Sequence, residues 1–227
     1  MKNLKAILFD MDGTLVDSED FHYKSWKGLL GSFGHKLNYE NYYLHYAGVS
    51  PKINAQKLID EFDVSEPVEQ LIKKREETIL QILRTEPVKL MPYALDILNS
   101  FSALGIQLGL VTSASHAEAS LILPRAKLSG FFHKIITRDD VVCTKPNPEP
   151  YLKGLAAINF HAEECLAIED SISGIQSAKG AGLACLAVQR RFSATYKSKC
   201  TADALFENLR EAEEYVRSSF LGKKEGR

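Results

Sequence analysis

The sequence predicts an α/β protein, built on a doubly wound parallel sheet with a small helical domain inserted after the first strand. Short apolar runs bounded by polar residues are typical of parallel strands that are covered on both faces. Along most of the chain these runs alternate with helical patterns, which indicates such a sheet. Between residues 17 and 88 only helical patterns occur, which indicates the insertion.

Five apolar runs are predicted strands. The first run, Lys5 to Phe9, stops abruptly at Asp10. The other four runs have a similar apolar character and are Ile106–Thr112, His133–Thr137, Cys165–Ile168 and Ala184–Val188.

Helical patterns separate the predicted strands. Pro92 can begin a helix, because the first helical turn tolerates proline, and Gly105 can end it. Between them, apolar residues recur at helical spacing from Ala94 to Leu104. Similar patterns occupy residues 151–158 and 175–181. Each predicted helix leads into the next strand.

The inserted segment carries three amphipathic stripes, at Phe21–Phe33, Leu58–Phe62 and Val68–Leu83. We expect a catalytic core of residues 1–16 and 89–227 and a helical domain of residues 17–88. The helical domain is expected over the carboxyl end of the first strand.

Charge and composition exclude several classes of protein. The chain of 227 residues carries 28 basic and 29 acidic residues, so no long-range field attracts nucleic acid or an anionic membrane. The first apolar run is too short for a signal-peptide core or a membrane span. We expect a cytoplasmic protein, a monomer or weak dimer, with no nucleic-acid or membrane partner.

Four cysteines are widely spaced, without a CxxC pair: Cys143, Cys165, Cys185 and Cys200. This spacing favours neither a zinc site nor a disulfide framework. We expect four reduced thiols, three of them in or beside buried strands.

The motif Asp10-Met11-Asp12-Gly13-Thr14 follows the first strand, and parallel sheets bind ligands at strand carboxyl ends. Alternate residues of an extended segment point the same way, so Asp10 and Asp12 can face one site while Met11 packs behind them. Two close carboxylates repel each other unless a cation lies between them or one stays protonated. The alternative is an ordinary Asp-Gly turn.

Glu169 and Asp170 follow another predicted strand, so four acids converge on one edge of the sheet. Mg²⁺ prefers oxygen ligands and commonly takes one or two carboxylates together with substrate phosphate. The alternative is that Asp170 and Ser171 only cap the next helix.

Hydroxyl groups and one lysine could hold a phosphate at the same edge. Thr112, Ser113 and Ala114 end the second core strand before a predicted helix, and either hydroxyl could donate to phosphate oxygens. Lys145 lies in the proline-stiffened segment 145–150, which would fix a cation in place. The alternatives are a helix cap and a solvated surface charge.

Taken in order, these motifs resemble the haloacid dehalogenase superfamily. The resemblance rests on Asp-x-Asp-Gly-Thr at 10–14, the hydroxyl residues at 112–113, Lys-Pro-x-Pro at 145–148 and Glu-Asp-Ser-x-x-Gly-Ile at 169–175. It spans Ala6 to Ala187. The chain looks most similar to the β-phosphoglucomutase-like and phosphoglycolate phosphatase-like branch, which has a Rossmann-like core and a helical cap inserted after the first motif.

The resemblance implies covalent catalysis in two steps. Asp10 would attack phosphorus to form an aspartyl-phosphate, and Asp12 would protonate the leaving oxygen and later activate water. Thr112 or Ser113, together with Lys145, would bind the phosphoryl group, next to Ala114.

The resemblance also implies Mg²⁺ as cofactor. Asp10, the backbone carbonyl of Asp12 and Asp170 would hold the ion, helped by Glu169. The second aspartate, Asp12, argues against haloacid dehalogenation. In the dehalogenase branch of the superfamily another residue stands at this position, and that branch needs no metal.

In the cap, His22 matches a histidine of the sugar-phosphate mutases, and Lys74 can be aligned to their cap lysine. Gly48 begins the segment Gly-Val-Ser-Pro, in which the mutases have an arginine at the position of Pro51. Proline cannot make the bidentate phosphate contact of an arginine. Both His22 and Lys74 could also be ordinary surface residues.

We therefore expect a Mg²⁺-dependent phosphatase acting on a small phosphorylated metabolite: a sugar phosphate, phosphoglycolate or a nucleotide. A sugar-phosphate mutase is the first alternative, and a catalytically silent protein that binds a phospho-ligand is the second. A dinucleotide-binding oxidoreductase is disfavoured because no GxGxxG follows the first strand.

Overall fold

The fold is known from a computed structural model, which describes residues 4–47, 49–189 and 193–221. The chain forms two compact units, Met1–Asp17 with Lys89–Arg227 and Ser18–Val88. Asp17, expected in the helical domain, lies at the end of the first segment of the larger unit, and its backbone N–H donates to the carbonyl of Lys89 at 2.9 Å.

A six-stranded sheet forms the centre of the larger unit. Its strands are β1 (Ala6–Phe9), β2 (Gln107–Val111), β3 (Lys134–Ile136), β4 (Cys165–Glu169), β5 (Ala184–Val188) and β6 (Ala204–Phe206). The order is β3-β2-β1-β4-β5-β6, and every neighbouring pair is parallel. The predicted doubly wound sheet is confirmed, with β1 at the point where the strand order changes direction.

The sixth strand, β6, was not predicted. It is three residues long and lies at the edge of the sheet, where β5 is its one partner among the described residues. Leu205 at its centre is exposed. Its three residues, Ala204, Leu205 and Phe206, are apolar but fewer than the four to eight that mark a buried strand, so the run is too short to predict one.

Helices flank the strands and build the smaller unit. In chain order they are α1 (Glu19–Ser32), α2 (Tyr39–His45), α3 (Pro51–Phe62), α4 (Val68–Thr85), α5 (Ala94–Ala103), α6 (His116–Arg125), α7 (Glu149–Ile158), α8 (Ile172–Gly180), α9 (Ala194–Lys199) and α10 (Leu209–Phe220). No helix in the described part of the chain has the length and apolar character that crossing a membrane requires.

The smaller unit consists of α1 to α4 around its own core, which includes Trp26, Leu30, Tyr42 and Leu58. The three predicted stripes correspond to α1, α3 and α4. Helix α2 was not predicted, because it buries only Tyr42 and so shows no stripe. Its beginning is fixed by Asn38, whose side chain accepts a hydrogen bond from the N–H of Asn41 at 2.7 Å.

All four cysteines are free thiols, as expected. Cys165 and Cys185 are buried in β4 and β5. The expectation of a third cysteine at a buried strand is wrong, since Cys200 is partly buried after α9 and Cys143 is exposed in a loop.

Candidate active site

The register of the sheet brings three predicted site segments to one edge. Phe9, the last residue of β1, pairs with Leu110 of β2 and with Ile168 of β4. Asp10 continues this alignment, because its backbone N–H donates to the carbonyl of Ile168 at 3.0 Å. The residues that follow these strands therefore emerge side by side at the carboxyl edge.

Three carboxylates gather there. Asp10, Glu169 and Asp170 each offer an oxygen within 4.8 Å of the others, and Asp10 is only 6% exposed. Burial raises the pKa of Asp10 to about 8; the charges of Glu169 and Asp12 act in the same direction, and the Lys145 ammonium opposes them. Burial, together with the charges of Asp10 and Glu169, also holds the pKa of Asp170 well above its usual range.

This group fits a hard divalent cation. Three carboxyl groups face one another with a single ammonium among them in the described part of the chain, so ionisation of all three would leave an excess of negative charge. A divalent cation would relieve that repulsion, and oxygen donors are the ligands that Mg²⁺ prefers. The carboxylate of Asp12 is outside this group of three.

Lys145 is the ammonium of the site. Its side chain is only 4% exposed, and its Nζ donates to Asp10 Oδ1 at 2.7 Å, to Glu169 Oε1 at 2.6 Å and to the carbonyl of Val111 at 2.8 Å. Burial lowers the pKa of Lys145, but the two carboxylates outweigh burial and raise it above the usual value. Lys145 is therefore a buried cation, and the alternative of a solvated surface charge is wrong.

Glu169 is fully buried and accepts further hydrogen bonds from residues that were not predicted to belong to the site. The Tyr151 hydroxyl donates to Glu169 Oε1 at 2.8 Å, and the Ser171 hydroxyl donates to Oε2 at 3.2 Å. Tyr151 lies on the apolar stripe of α7. A phenol among aliphatic residues indicates a buried hydroxyl that needs a hydrogen-bond partner, and this was the available signal in the sequence. A Cβ at Gly174 would lie 2.0 Å from Glu169 Cδ, so only glycine fits there.

Asp12 is half-buried next to the end of β2. The Thr112 hydroxyl donates to Asp12 Oδ2 at 3.3 Å and accepts a hydrogen bond from the N–H of Ala114 at 3.0 Å. Thr112 and Ala114 are buried, whereas Ser113 is exposed. The two hydroxyl residues that the sequence left undecided thus differ in their surroundings.

The helix caps after β2 and β4 are serines. Ser115 forms a reciprocal capping box with Glu118 at the start of α6. Ser171 accepts from the N–H of Gly174 at 3.0 Å and caps α8. Ser115 and Ser171 are thus the residues that cap these two helices, and Ser113 is not a helix cap. The backbone carbonyl of Asp170 accepts a hydrogen bond from Tyr196 of α9 at 2.7 Å.

The two predicted cap residues in the described part of the smaller unit, His22 and Lys74, have different hydrogen-bond and ion-pair partners. Lys74 is exposed and pairs with Glu66. The next residue, Arg75, is buried; its Nη2 lies 2.6 Å from His22 Nδ1 and its Nε donates to Ser25 Oγ at 3.1 Å. Arg75 was not predicted, although its place on the buried stripe of α4 was a signal. Gly48 lies outside the described residues.

We expect Gly13→Ala to destabilise the protein more than Gly105→Ala, the matched control. Both glycines have a positive φ, +79° and +74°. An alanine in this conformation destabilises the folded protein by about 1 kcal/mol or more. A Cβ at Gly13 would also lie 2.1 Å from Asp170 Oδ2, whereas a Cβ at Gly105 meets nothing within 4 Å. Thermal unfolding of both variants measures the difference, and equal losses of Tm would contradict the close approach of Gly13 to Asp170.

Comparison with known proteins places this geometry in a family. A Thermotoga maritima protein named phosphorylated carbohydrates phosphatase is 30% identical over 180 residues, covering 79% of this chain and 82% of the relative. The Bacillus subtilis β-phosphoglucomutase is 26% identical over 94% of this chain and 97% of its own length. The crystal structure of CbbY from Rhodobacter sphaeroides in complex with phosphate superposes with a TM-score of 0.78 and 24% identity, covering 92% of this chain and 96% of that one. The sequence model of the haloacid dehalogenase-like hydrolases matches residues 7–188, and the chain belongs to that family.

Proposed function

We propose that this protein is a Mg²⁺-dependent phosphatase that hydrolyses a small phosphorylated metabolite through an aspartyl-phosphate at Asp10. The observation that carries the proposal is the buried Asp10 carboxylate, held by Lys145 within a group of three carboxylates at the end of β1. Among sugar phosphates, phosphoglycolate and nucleotides, the T. maritima relative named for phosphorylated carbohydrates favours sugar phosphates.

In the first step, a carboxylate oxygen of Asp10 forms a bond to phosphorus while the bond from phosphorus to the leaving oxygen breaks. Asp12, in its protonated form, gives its proton to that oxygen, so that a neutral alcohol leaves. In the second step, Asp12 takes a proton from water, whose oxygen displaces Asp10 and releases inorganic phosphate.

Lys145 and Ser113 are the proposed contacts of the transferring phosphoryl group. The Lys145 ammonium is already fixed beside Asp10, so its charge is preorganised for the charge that spreads over the phosphoryl oxygens. The Thr112 hydroxyl is engaged by Asp12 and Ala114, which favours Ser113 as the hydroxyl that contacts phosphate and Thr112 as the residue that orients Asp12.

Asp10, Asp170 and the backbone carbonyl of Asp12 are the proposed ligands of Mg²⁺. When bound, the ion neutralises negative charge on the phosphoryl group and on the attacking carboxylate. Glu169 accepts hydrogen bonds from Lys145, Tyr151 and Ser171, so we assign it mainly to the fixing of Lys145.

A sugar-phosphate mutase is the second candidate, favoured by the similarity to the B. subtilis β-phosphoglucomutase over nearly the whole chain. Against it, Pro51 stands at the first position of α3, where the mutases have an arginine, and proline donates no hydrogen bond. A second phosphate would then lack its bidentate partner.

Phosphate release by the purified protein tests the proposal. The panel contains sugar phosphates, phosphoglycolate, nucleotides and p-nitrophenyl phosphate, each with Mg²⁺, with EDTA, and with EDTA followed by excess Mg²⁺. We expect release with Mg²⁺, loss with EDTA and recovery on addition of Mg²⁺. Release that EDTA leaves unchanged would contradict the role of the metal. Absence of release, with glucose 6-phosphate formed from β-glucose 1-phosphate and a bisphosphate primer, would establish the mutase instead.

A further inference from the structure

The buried side chain of Lys145 is carried by an exposed loop. Val142 is 90% exposed, and Cys143 and Thr144 are also exposed, whereas the Lys145 side chain is only 4% exposed. Val141 still packs against the core, but the side chains of residues 142–144, between it and the lysine, do not. Polar contacts must supply the constraint that keeps the ammonium beside Asp10.

Glu149, the first residue of α7, supplies two such contacts. Its Oε1 accepts a hydrogen bond from the N–H of Val142 at 2.9 Å, and its Oε2 accepts one from the N–H of Cys143 at 2.7 Å. These two backbone hydrogen bonds are the main causes that lower the pKa of Glu149, so the carboxylate is charged at neutral pH. The N–H of Glu149 donates to Asn147 Oδ1 at 3.0 Å, which ties the other end of the loop to the same residue.

The chemistry of the side chain matches this task. A carboxylate has two acceptor oxygens, so it can receive two consecutive backbone N–H groups at once, and hydrogen bonds to a charged acceptor are the stronger kind. In an amide side chain, an NH₂ donor replaces one of the two carboxylate oxygens, so at the position of that oxygen a donor would face the N–H of Val142 or Cys143. Lys153 Nζ approaches Glu149 Oε1 at 3.3 Å and also donates to the backbone carbonyl of Asp140; the ion pair is largely exposed and adds little.

We infer that Glu149 is a positioning residue for Lys145: it fixes the backbone of residues 142–143 so that the ammonium reaches Asp10 and Glu169. The expected effect of Glu149 on the rate of hydrolysis rests on the proposed function, whereas its effect on the position of the Lys145 side chain does not. Glu149 touches neither Asp10 nor Glu169, and it acts through the loop alone.

A purely structural role is the competing account. A negative charge in the first turn of α7 interacts favourably with the helix dipole. In that case removal of the carboxylate would lower Tm, and the folded protein would keep both its turnover and the protection of Lys145.

The test compares Glu149→Ala and Glu149→Gln with the control Lys153→Met. This control removes the ion pair to Glu149 and the hydrogen bond from Lys153 to the backbone carbonyl of Asp140, but it leaves the two backbone hydrogen bonds from Val142 and Cys143 to Glu149 in place. The first readout is acetylation of Lys145 by an amine-reactive reagent, followed by peptide mass spectrometry, with the exposed Lys134 as internal reference. The second readout is kcat and KM for p-nitrophenyl phosphate and a sugar phosphate, well below the Tm of each variant.

We expect acetylation of Lys145 to rise several-fold in Glu149→Ala and less in Glu149→Gln, with no change in Lys153→Met. We expect kcat/KM to fall by about 10- to 100-fold in Glu149→Ala, because displacement of a catalytic group by about 1 Å has an effect of that order. If Glu149→Ala does not fold, Glu149→Gln decides by the same criteria.

Unchanged acetylation of Lys145 in a folded Glu149 variant would overturn the inference, whatever happens to Tm. An active wild-type protein whose Glu149 variants keep kcat and KM would overturn it as well. A wild-type protein that hydrolyses no ester would refute the proposed function, and the acetylation of Lys145 would still decide the role of Glu149.

Discussion

Asp10→Asn is expected to abolish hydrolysis of every ester that the wild-type protein turns over. An amide is a poor nucleophile, and removal of a covalent nucleophile lowers kcat by roughly 10⁴-fold or more. The fold should persist, since asparagine has the same shape and the change removes a carboxylate that lies close to Glu169 and Asp170. Lys145 keeps Glu169 and the carbonyl of Val111 as hydrogen-bond partners.

Phosphate release and thermal unfolding measure both halves of this prediction. The matched control is Asp96→Asn, the same chemical change at a position in the first turn of α5, away from the carboxylate group. We expect the control to keep full activity. An Asp10→Asn protein with wild-type turnover, and with the substitution verified by mass spectrometry, would refute Asp10 as nucleophile.

Lys145→Met is the second prediction with a large effect, and it acts on stability as well as on activity. Methionine fills a similar volume but leaves Asp10 and Glu169 buried without their ammonium. Breaking a buried ion pair by removing one partner destabilises a protein by about 3–5 kcal/mol. Turnover should fall by about 10²-fold or more, because a preorganised charge is lost beside the phosphoryl group.

Chemical denaturation and steady-state kinetics measure these changes, with Lys153→Met as the control for loss of an exposed lysine. Mg²⁺ should raise the Tm of Lys145→Met, because a bound cation restores positive charge near the carboxylates. A variant as stable and as active as the control would show that the buried ion pair has no part in either property.

The parts of the site that follow from local patterns could be predicted from the sequence. Asp10 and Glu169 stand where apolar runs end, and the ends of neighbouring parallel strands meet at one edge of the sheet. Those two observations brought the two acids together without any knowledge of the contacts. The motif at residues 10–14 gave no sign that Gly13 lies close to Asp170, because this contact comes from the packing of two segments that are distant in the chain.

Contacts between distant segments could not be predicted in this way. Tyr151 reaches Glu169 from a helix 18 residues earlier in the chain, and its position on the α7 stripe indicated only burial. In the cap, Lys74 was named because it can be aligned to the cap lysine of the mutases, whereas the spacing of the buried residues of α4 indicates its neighbour Arg75. A charged residue on an apolar stripe indicates a buried polar contact, because a charge is buried only when it is paired.

The central claim is that Asp10 takes the phosphoryl group, and trapping of the phosphoenzyme tests it most directly. The protein is mixed with Mg²⁺ and its best ester, quenched during turnover and reduced with borohydride, which converts an aspartyl-phosphate to homoserine that peptide mass spectrometry can locate. The account predicts homoserine at position 10, only when ester and Mg²⁺ are both present, and none in Asp10→Asn. Phosphate release without homoserine at position 10, or with the modification at another residue, would contradict it.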